Sequence, residues 1–298
     1  MSKENHSLLT PAQKRLIEES LLIEQQEAIE AGSIGYMARV LTQATLPHRD
    51  PKKEIFRRSN GALTVSIVDT HGVGLPYGAL PRLLLAWVTT EAVLTKEKRI
   101  ILGDSLSSFM EQIGIVPTGG RWGSITRLKE QLTRLFGCSI GYKVDDGRGL
   151  SLHNTILASD MHLWWDAKNP DQTNIWESYV DLSHEFFTEI TERPVPIDMR
   201  ALEQLRRSPM AIDIYNWLTY RMSYLKKHTA VSWEQLQMQF GAAYSFDDRG
   251  KNNFQQAFNK HLKSVLTVYP EANVETARGR LILKPSKPHV AKLKPPTK

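Results

Sequence analysis

The chain has 298 residues, 41% of them hydrophobic, and carries 38 Lys+Arg against 32 Asp+Glu for a net charge of +6. Domains usually run about 100 to 200 residues, so two domains are expected, and the basic balance points to an acidic partner such as DNA. A membrane span needs about 20 consecutive apolar residues; runs such as Leu83–Trp87 and Leu21–Ile23 are far shorter, so no membrane partner is expected. Met1–Thr10 is polar and lacks a basic n-region followed by an apolar h-region, which predicts a cytoplasmic chain without a secretory signal. Cys138 is the only cysteine, so no internal disulfide or cysteine-based zinc cluster can form. Its apolar surroundings, Phe136–Gly141, predict a small core residue.

In chain order, Thr10-Pro11 reads as an N-cap and first helical position for an amphipathic helix reaching Glu30, and Tyr36–Thr45 as a second short helix. A basic cluster follows, Lys52, Lys53, Arg57 and Arg58, and then Leu63–Val68, which alternates like a strand. Leu83, Leu84, Trp87, Val88, Val93 and Leu94 give a helix from Pro81 a wide apolar stripe, and Arg99–Leu102 is a short strand. Asp104–Ile113 and Gly123–Phe136 are the next helices, separated by Gly119-Gly120. Cys138–Val144 and Leu150–Leu157 form a hairpin around Asp145–Gly149. Polar Asp166–Asn174, with Asn169-Pro170-Asp171, is the expected connection. Beyond it come a strand-like Trp176–Leu182, helices Met199–Leu205, Pro209–Leu225, Val231–Phe240 (N-cap Ser232) and Gly250–Val265, and a strand pair flanking Ala277-Arg278-Gly279.

The two halves align on each other. A shift of 130 residues maps Trp87 onto Trp217, Gly120 onto Gly250, Leu128 onto Phe258, Leu132 onto Leu262 and Phe136 onto Leu266. A shift of 127 pairs Phe109 with Leu236, Ile113 with Phe240 and Gly114 with Gly241. Apolar spacing of this kind recurs in any helical protein, but the matched tryptophans and glycines favour a repeat. Three helices and a hairpin in that order define a winged helix, a helix-turn-helix relative. The expected fold is therefore mainly α with small β-hairpins (α+β), built from two tandem winged-helix domains. Its parts are an N-terminal helical extension at 1–60, a first winged helix at 61–165, a connection at 166–193, a second winged helix at 194–284 and a basic disordered tail at 285–298.

In each unit the third helix has a polar face free for the major groove. The first offers Arg121, Ser124, Thr126, Arg127, Lys129 and Arg134; the second offers Lys251, Asn252, Asn253, Gln255, Gln256, Asn259, Lys260 and Lys263. Arg and Lys pair with guanine O6/N7, Asn and Gln with adenine, and Ser or Thr with phosphate. Any one of these positions also suits a plain solvated helix face. The stretch from Lys251 to Lys263 is more telling, because it holds amides and lysines and no acid. The hairpin tips add Arg148, Arg278 and Arg280, suited to phosphates or a minor groove. From Lys284 the tail has five lysines, four prolines and no acid, a composition that adds non-specific DNA affinity or solubility.

Enzymatic signatures are missing. There is no phosphate loop; Gly72-Val73-Gly74 is followed by Gly78 at the wrong spacing for a dinucleotide fingerprint; no His-x-His or His-Glu-x-x-His occurs. Asp145-Asp146 and Asp247-Asp248 lie beside Gly and Arg and read as turn residues, not as a two-metal nuclease centre. Trp164-Trp165 places one ring on each side of a strand, where a core role outweighs base stacking. No catalytic residue, metal or cofactor is expected.

Gly74-Leu-Pro-Tyr-Gly-Ala-Leu-Pro-Arg-Leu-Leu-Leu-Ala-Trp-Val-Thr-Thr-Glu-Ala-Val93 resembles the signature of the plasmid-encoded RepA replication-initiator family. The likeness extends through Ala44–His48, Arg58–Gly61, Leu102–Met110, Gly119-Gly120 and Arg134–Phe136, covering about residues 36 to 225 well and the C-terminal unit more loosely. It implies a DNA-binding protein that recognises repeats at a plasmid origin, helps to open the duplex and recruits host replication initiation or helicase proteins. Dimers of such initiators repress their own promoter and so enter plasmid copy control, which makes a homodimer a further expectation. The other reading is a sequence-specific transcriptional repressor without a replication role; chain chemistry does not separate the two.

Overall fold

The computed structural model describes residues 34–38, 42, 45–60, 63–145, 149–164, 178–192 and 194–290. The expected N-terminal helix, Asp146 to Arg148, Trp165, the Asp166–Asn174 connection and the end of the basic tail lie outside them. The fold is mixed α+β, with eight helices and four small antiparallel sheets among the described residues.

Strand β1 (Ile34–Met37) precedes β2 (Ile55–Asn60) and β3 (Leu63–Asp69). Helix α1 (Leu80–Thr95) follows, then β4 (Arg99–Ile101), α2 (Leu106–Gln112) and α3 (Ser124–Phe136). Pro81 in the first turn of α1 gives up an N–H that has no helical partner there, and ten further residues of the helix are buried. Strands β5 (Cys138–Asp145), β6 (Leu150–Ile156), β7 (Ala158–His162) and β8 (Tyr179–Leu182) complete the first half. The second contains α4 (His184–Glu192), β9 (Val195–Asp198), α5 (Met199–Leu205), α6 (Pro209–Met222), β10 (Thr229–Ser232), α7 (Trp233–Phe240), α8 (Asp248–Val268), β11 (Val274–Ala277) and β12 (Arg280–Leu283).

The repeat is visible in three dimensions. Helix α1, strand β4, helices α2 and α3 and strands β7 and β8 follow the same order as α6, β10, α7, α8, β11 and β12. Their sheets are ordered β4-β8-β7 and β10-β12-β11, so in both the last strand is central. Trp87 meets Phe109 edge-on at 5.0 Å and Trp217 meets Phe240 edge-on at 5.5 Å, each joining the first helix of its unit to the second. Leu128 and Leu132 are buried, as are Phe258 and Leu262. The matched glycines, by contrast, do different work: Gly120 turns the chain at φ 87°, whereas Gly250 lies inside α8.

Other expectations shift. Tyr36 and Met37 belong to strand β1, not to a helix, because Ile34–Met37 pairs antiparallel with Val195–Asp198 far along the chain. The hairpin β5–β6 is present, but it extends the sheet β2-β3-β5-β6 and does not pair with β4. Tyr179–Leu182 pairs with both β4 and β7, so the first unit takes in residues from the expected connection. One apolar core runs through both halves, from Met37 to Leu283.

Candidate nucleic-acid interface

Helix α8 begins two residues earlier than its apolar spacing predicts. The Asp247 carboxylate accepts from the Gly250 N–H at 2.6 Å and from the Ser245 hydroxyl at 2.9 Å, which caps the helix and holds that carboxyl below its ordinary pKa. Asp247-Asp248 is thus a helix start. Phe254, Phe258, Leu262, Val265 and Val268 face the core. The opposite stripe, Asn252, Asn253, Gln256, Lys260 and Lys263, is exposed. Arg249, one turn before Asn252 and Asn253, is exposed on the same stripe; the apolar spacing, which starts the helix at Gly250, leaves it out. Lys251 reaches Glu234 at 3.5 Å, Asn259 accepts from Thr276 at 3.4 Å, and Gln255 is half-buried.

On α3 the open part of the polar face is smaller. Arg121, Thr126, Arg127 and Lys129 are exposed. Ser124 is buried, and its hydroxyl donates to the Val116 carbonyl while accepting from the Thr118 N–H, both at 2.8 Å. Arg134 pairs with Glu130 at 2.6 Å and with Asp50 at 3.4 Å, donates to the Leu75 carbonyl and lies over the Tyr77 ring. These two side chains therefore brace the first unit from within.

The hairpin between β11 and β12 turns on Arg278 and Gly279, with Gly279 at φ 78°, and leaves Arg278 and Arg280 exposed. Arg148 is outside the described residues. Trp164 is exposed beyond β7. Cys138 is buried in the core as expected, and burial pushes its thiol up to about 12.

A buried charge cluster joins the first helices of the two units, α1 and α6. Arg82, at the start of α1, donates to Asp213 of α6 through Nε and Nη2, each at 2.7 Å, and to the carbonyls of Leu46 and Gly78, each at 2.6 Å. His48 Nε2 meets the second oxygen of Asp213 at 2.7 Å. Burial alone would raise the Asp213 carboxyl; Arg82 and His48 hold it below its ordinary value. Arg58, in β2, lies close enough to feel Asp213, yet its Nε and both terminal nitrogens are buried without a hydrogen-bond partner among the described residues. Burial lowers its pKa to about 10.

The molecule is thus a basic α+β protein with two similarly ordered units, each exposing a polar third helix. The sequence matches the family described as plasmid encoded RepA protein over residues 75–235, more than half of the chain, and the chain belongs to that family. Among solved structures, the selenomethionine derivatives of domain 2 and domain 3 of RctB are similar to it, with a TM-score of 0.51 and 9% identity over 84% of this chain and 97% of that one. That likeness concerns the fold alone. No curated protein matches the sequence. The family signature maps to packing: Leu75 and Leu83–Val88 are buried, and Arg82 belongs to the charge cluster. No described helix is long and apolar enough to cross a membrane.

Proposed function

We propose that this protein is a plasmid replication initiator built from two winged-helix units, which binds repeated sequences at its plasmid origin, promotes duplex opening and recruits host helicase proteins. The observation that carries this reading is the duplicated order of helix, strand, two helices and two strands, with the last strand central in both sheets. In such units the third helix enters the major groove and the final hairpin lies along the backbone. Helix α8 makes most base contacts, through Asn252, Asn253 and Gln256, while Arg249, Lys260 and Lys263 meet phosphates. Helix α3 reads the neighbouring groove with Arg127 and Lys129. Arg278 and Arg280 flank the DNA as a wing.

Two tandem units would occupy major grooves about one helical turn, roughly 10 bp, apart. Hydroxyl-radical footprinting on an origin repeat tests this: protection in two segments so separated is expected, and protection of a single groove segment would overturn the two-unit reading. A mini-plasmid lacking the gene fails to replicate if the protein is an initiator; continued replication would leave a repressor role instead. Self-association has a suitable surface in edge strand β6, where Leu150, Leu152 and Ile156 are exposed on one face.

A further inference from the structure

Hydrophobic residues just before a helix N-cap commonly pack on the fourth helical residue, which closes the helix entry with an apolar staple. Both third helices have the first half of that arrangement and lack the second. Trp122 precedes Gly123, the N-cap of α3, and the fourth helical residue is Arg127. Phe246 precedes Asp247, the N-cap of α8, and the fourth helical residue is Lys251. With no apolar partner at that position, the rings are exposed: Trp122 is 81% exposed and Phe246 58%.

Neither exposure comes from a loose turn. Before α3, the Thr118 N–H donates to Ser124 Oγ and the Ser124 N–H to Thr118 Oγ1, both at 2.8 Å, and Thr126 Oγ1 donates to the Gly120 carbonyl at 3.0 Å. A Cβ on Gly123 would come within 2.2 Å of the Thr118 carbonyl oxygen, so the chain is packed tightly behind the indole. Before α8, Gln237 Nε2 holds the Ser245 carbonyl at 2.8 Å, and a Cβ on Gly250 would come within 2.1 Å of that same oxygen. Each turn is thus pre-organised to display an aromatic ring beside a basic helix start.

The charge around the rings selects the partner. Arg121 lies over the Trp122 ring at 5.2 Å, and Arg127 and Lys129 are exposed one turn on. In the turn after Phe246 are exposed Asp248 and Arg249 and half-buried Lys251, which pairs with Glu234 at 3.5 Å, while the Asp247 carboxylate is turned into its helix cap. An aromatic ring flanked by cations, as at Trp122, suits a polyanion with stackable faces, and an exposed ring at the same place in both units suits a periodic ligand. Resting on the reading that the third helices face DNA, we propose that Trp122 and Phe246 are a pair of aromatic wedges, one per unit, each inserting at a base step of the bound repeat. Trp122, with the larger and freer ring, makes the stronger contact.

The test uses the full chain and a duplex carrying one origin repeat with 2-aminopurine placed at successive positions. Wild-type protein is expected to raise the fluorescence severalfold at one position per unit. Trp122→Ala abolishes one of these signals, spares the other and weakens binding about tenfold, as for loss of one base–aromatic stack; Trp122→Phe keeps part of both effects, and Phe246→Ala removes the second signal. Equal urea midpoints for all variants show that folding is intact. If wild-type protein binds the repeat and Trp122→Ala matches it in affinity and fluorescence, the wedge is overturned while the initiator reading stands. A Trp122→Ala variant that changes only sedimentation would overturn it in favour of a protein–protein role for the ring. Failure of wild-type protein to bind the repeat at all would overturn the initiator reading itself.

Discussion

Arg82 and Asp213 form a two-pronged ion pair, Nε to Oδ1 and Nη2 to Oδ2 at 2.7 Å each, between the first helices of the two units. Both side chains are at least 95% buried, at 3% and 5% exposure. Removing the acid takes from buried Arg82 and Arg58 the carboxylate that both feel. Breaking a buried pair from one side costs about 3–5 kcal/mol. Asp213→Asn is therefore expected to lower unfolding stability by about that much in urea titration, with Arg82→Met/Asp213→Leu recovering much of the loss. An Asp213→Asn protein as stable as wild type would show that the pair contributes nothing net.

Arg58 predicts the opposite sign. Arg58 is 4% exposed, its guanidinium lacks a hydrogen-bond partner among the described residues, and the acid it feels, Asp213, is shared with Arg82 and His48. Arg58→Met keeps an apolar stem in the site and removes a buried charge, at the cost of the guanidinium's place over the Phe56 ring at 5.6 Å. Thermal unfolding is expected to shift upward, by about 1 kcal/mol in stability. A downward shift would mean that Arg58 finds a partner in solution.

Stability should fall on mild acidification. Burial lowers the pKa values of His48, His261 and His289 below the ordinary 6.5, so the folded protein holds these rings neutral while the unfolded chain takes up protons more readily. Their contribution is complete above about pH 6.5 and is lost as pH falls toward the lowered folded values. Around His48 the charged groups are Asp213, which opposes the shift, and Arg82 and Arg58, which add to it. Asp213, also lowered, adds a second loss below its ordinary 3.8. Urea midpoints measured from pH 8 to pH 5 should decline, and a flat profile would contradict the burial of these rings.

Within α8, Lys263 and Asn253 are expected to separate affinity from specificity. Lys263→Ala should weaken binding to the origin repeat and to random DNA alike and flatten the salt dependence by about one unit of slope. Asn253→Ala should relax base preference, costing about 1–3 kcal/mol on the repeat and little on random DNA. Binding titrations at several salt concentrations measure both. Equal losses on the two DNAs for Asn253→Ala would remove it from base recognition.

Much of this protein was legible in the one-dimensional pattern. Periodicity located α3 and α5–α8, because each buries an apolar stripe at helical spacing and begins at a capping residue or proline; it found the Trp87–Trp217 repeat for the same reason. It also found the open stripe of α8, where amides and lysines accumulate without an acid. Only the tertiary structure decided what depends on distant partners. Whether Ile34–Met37 is strand or helix rests on Val195–Asp198, and which hairpin joins β4 rests on edge pairing, neither of which leaves a local period. Nothing in the sequence marks Arg82, Arg58 and Asp213 as a buried cluster, since the chemistry of a guanidinium does not reveal whether it faces water or another unit. Trp122 and Phe246 likewise carry no local signal of exposure: only the helix starts fixed by folding place Arg127 and Lys251, not an apolar side chain, at the position each ring would have packed against.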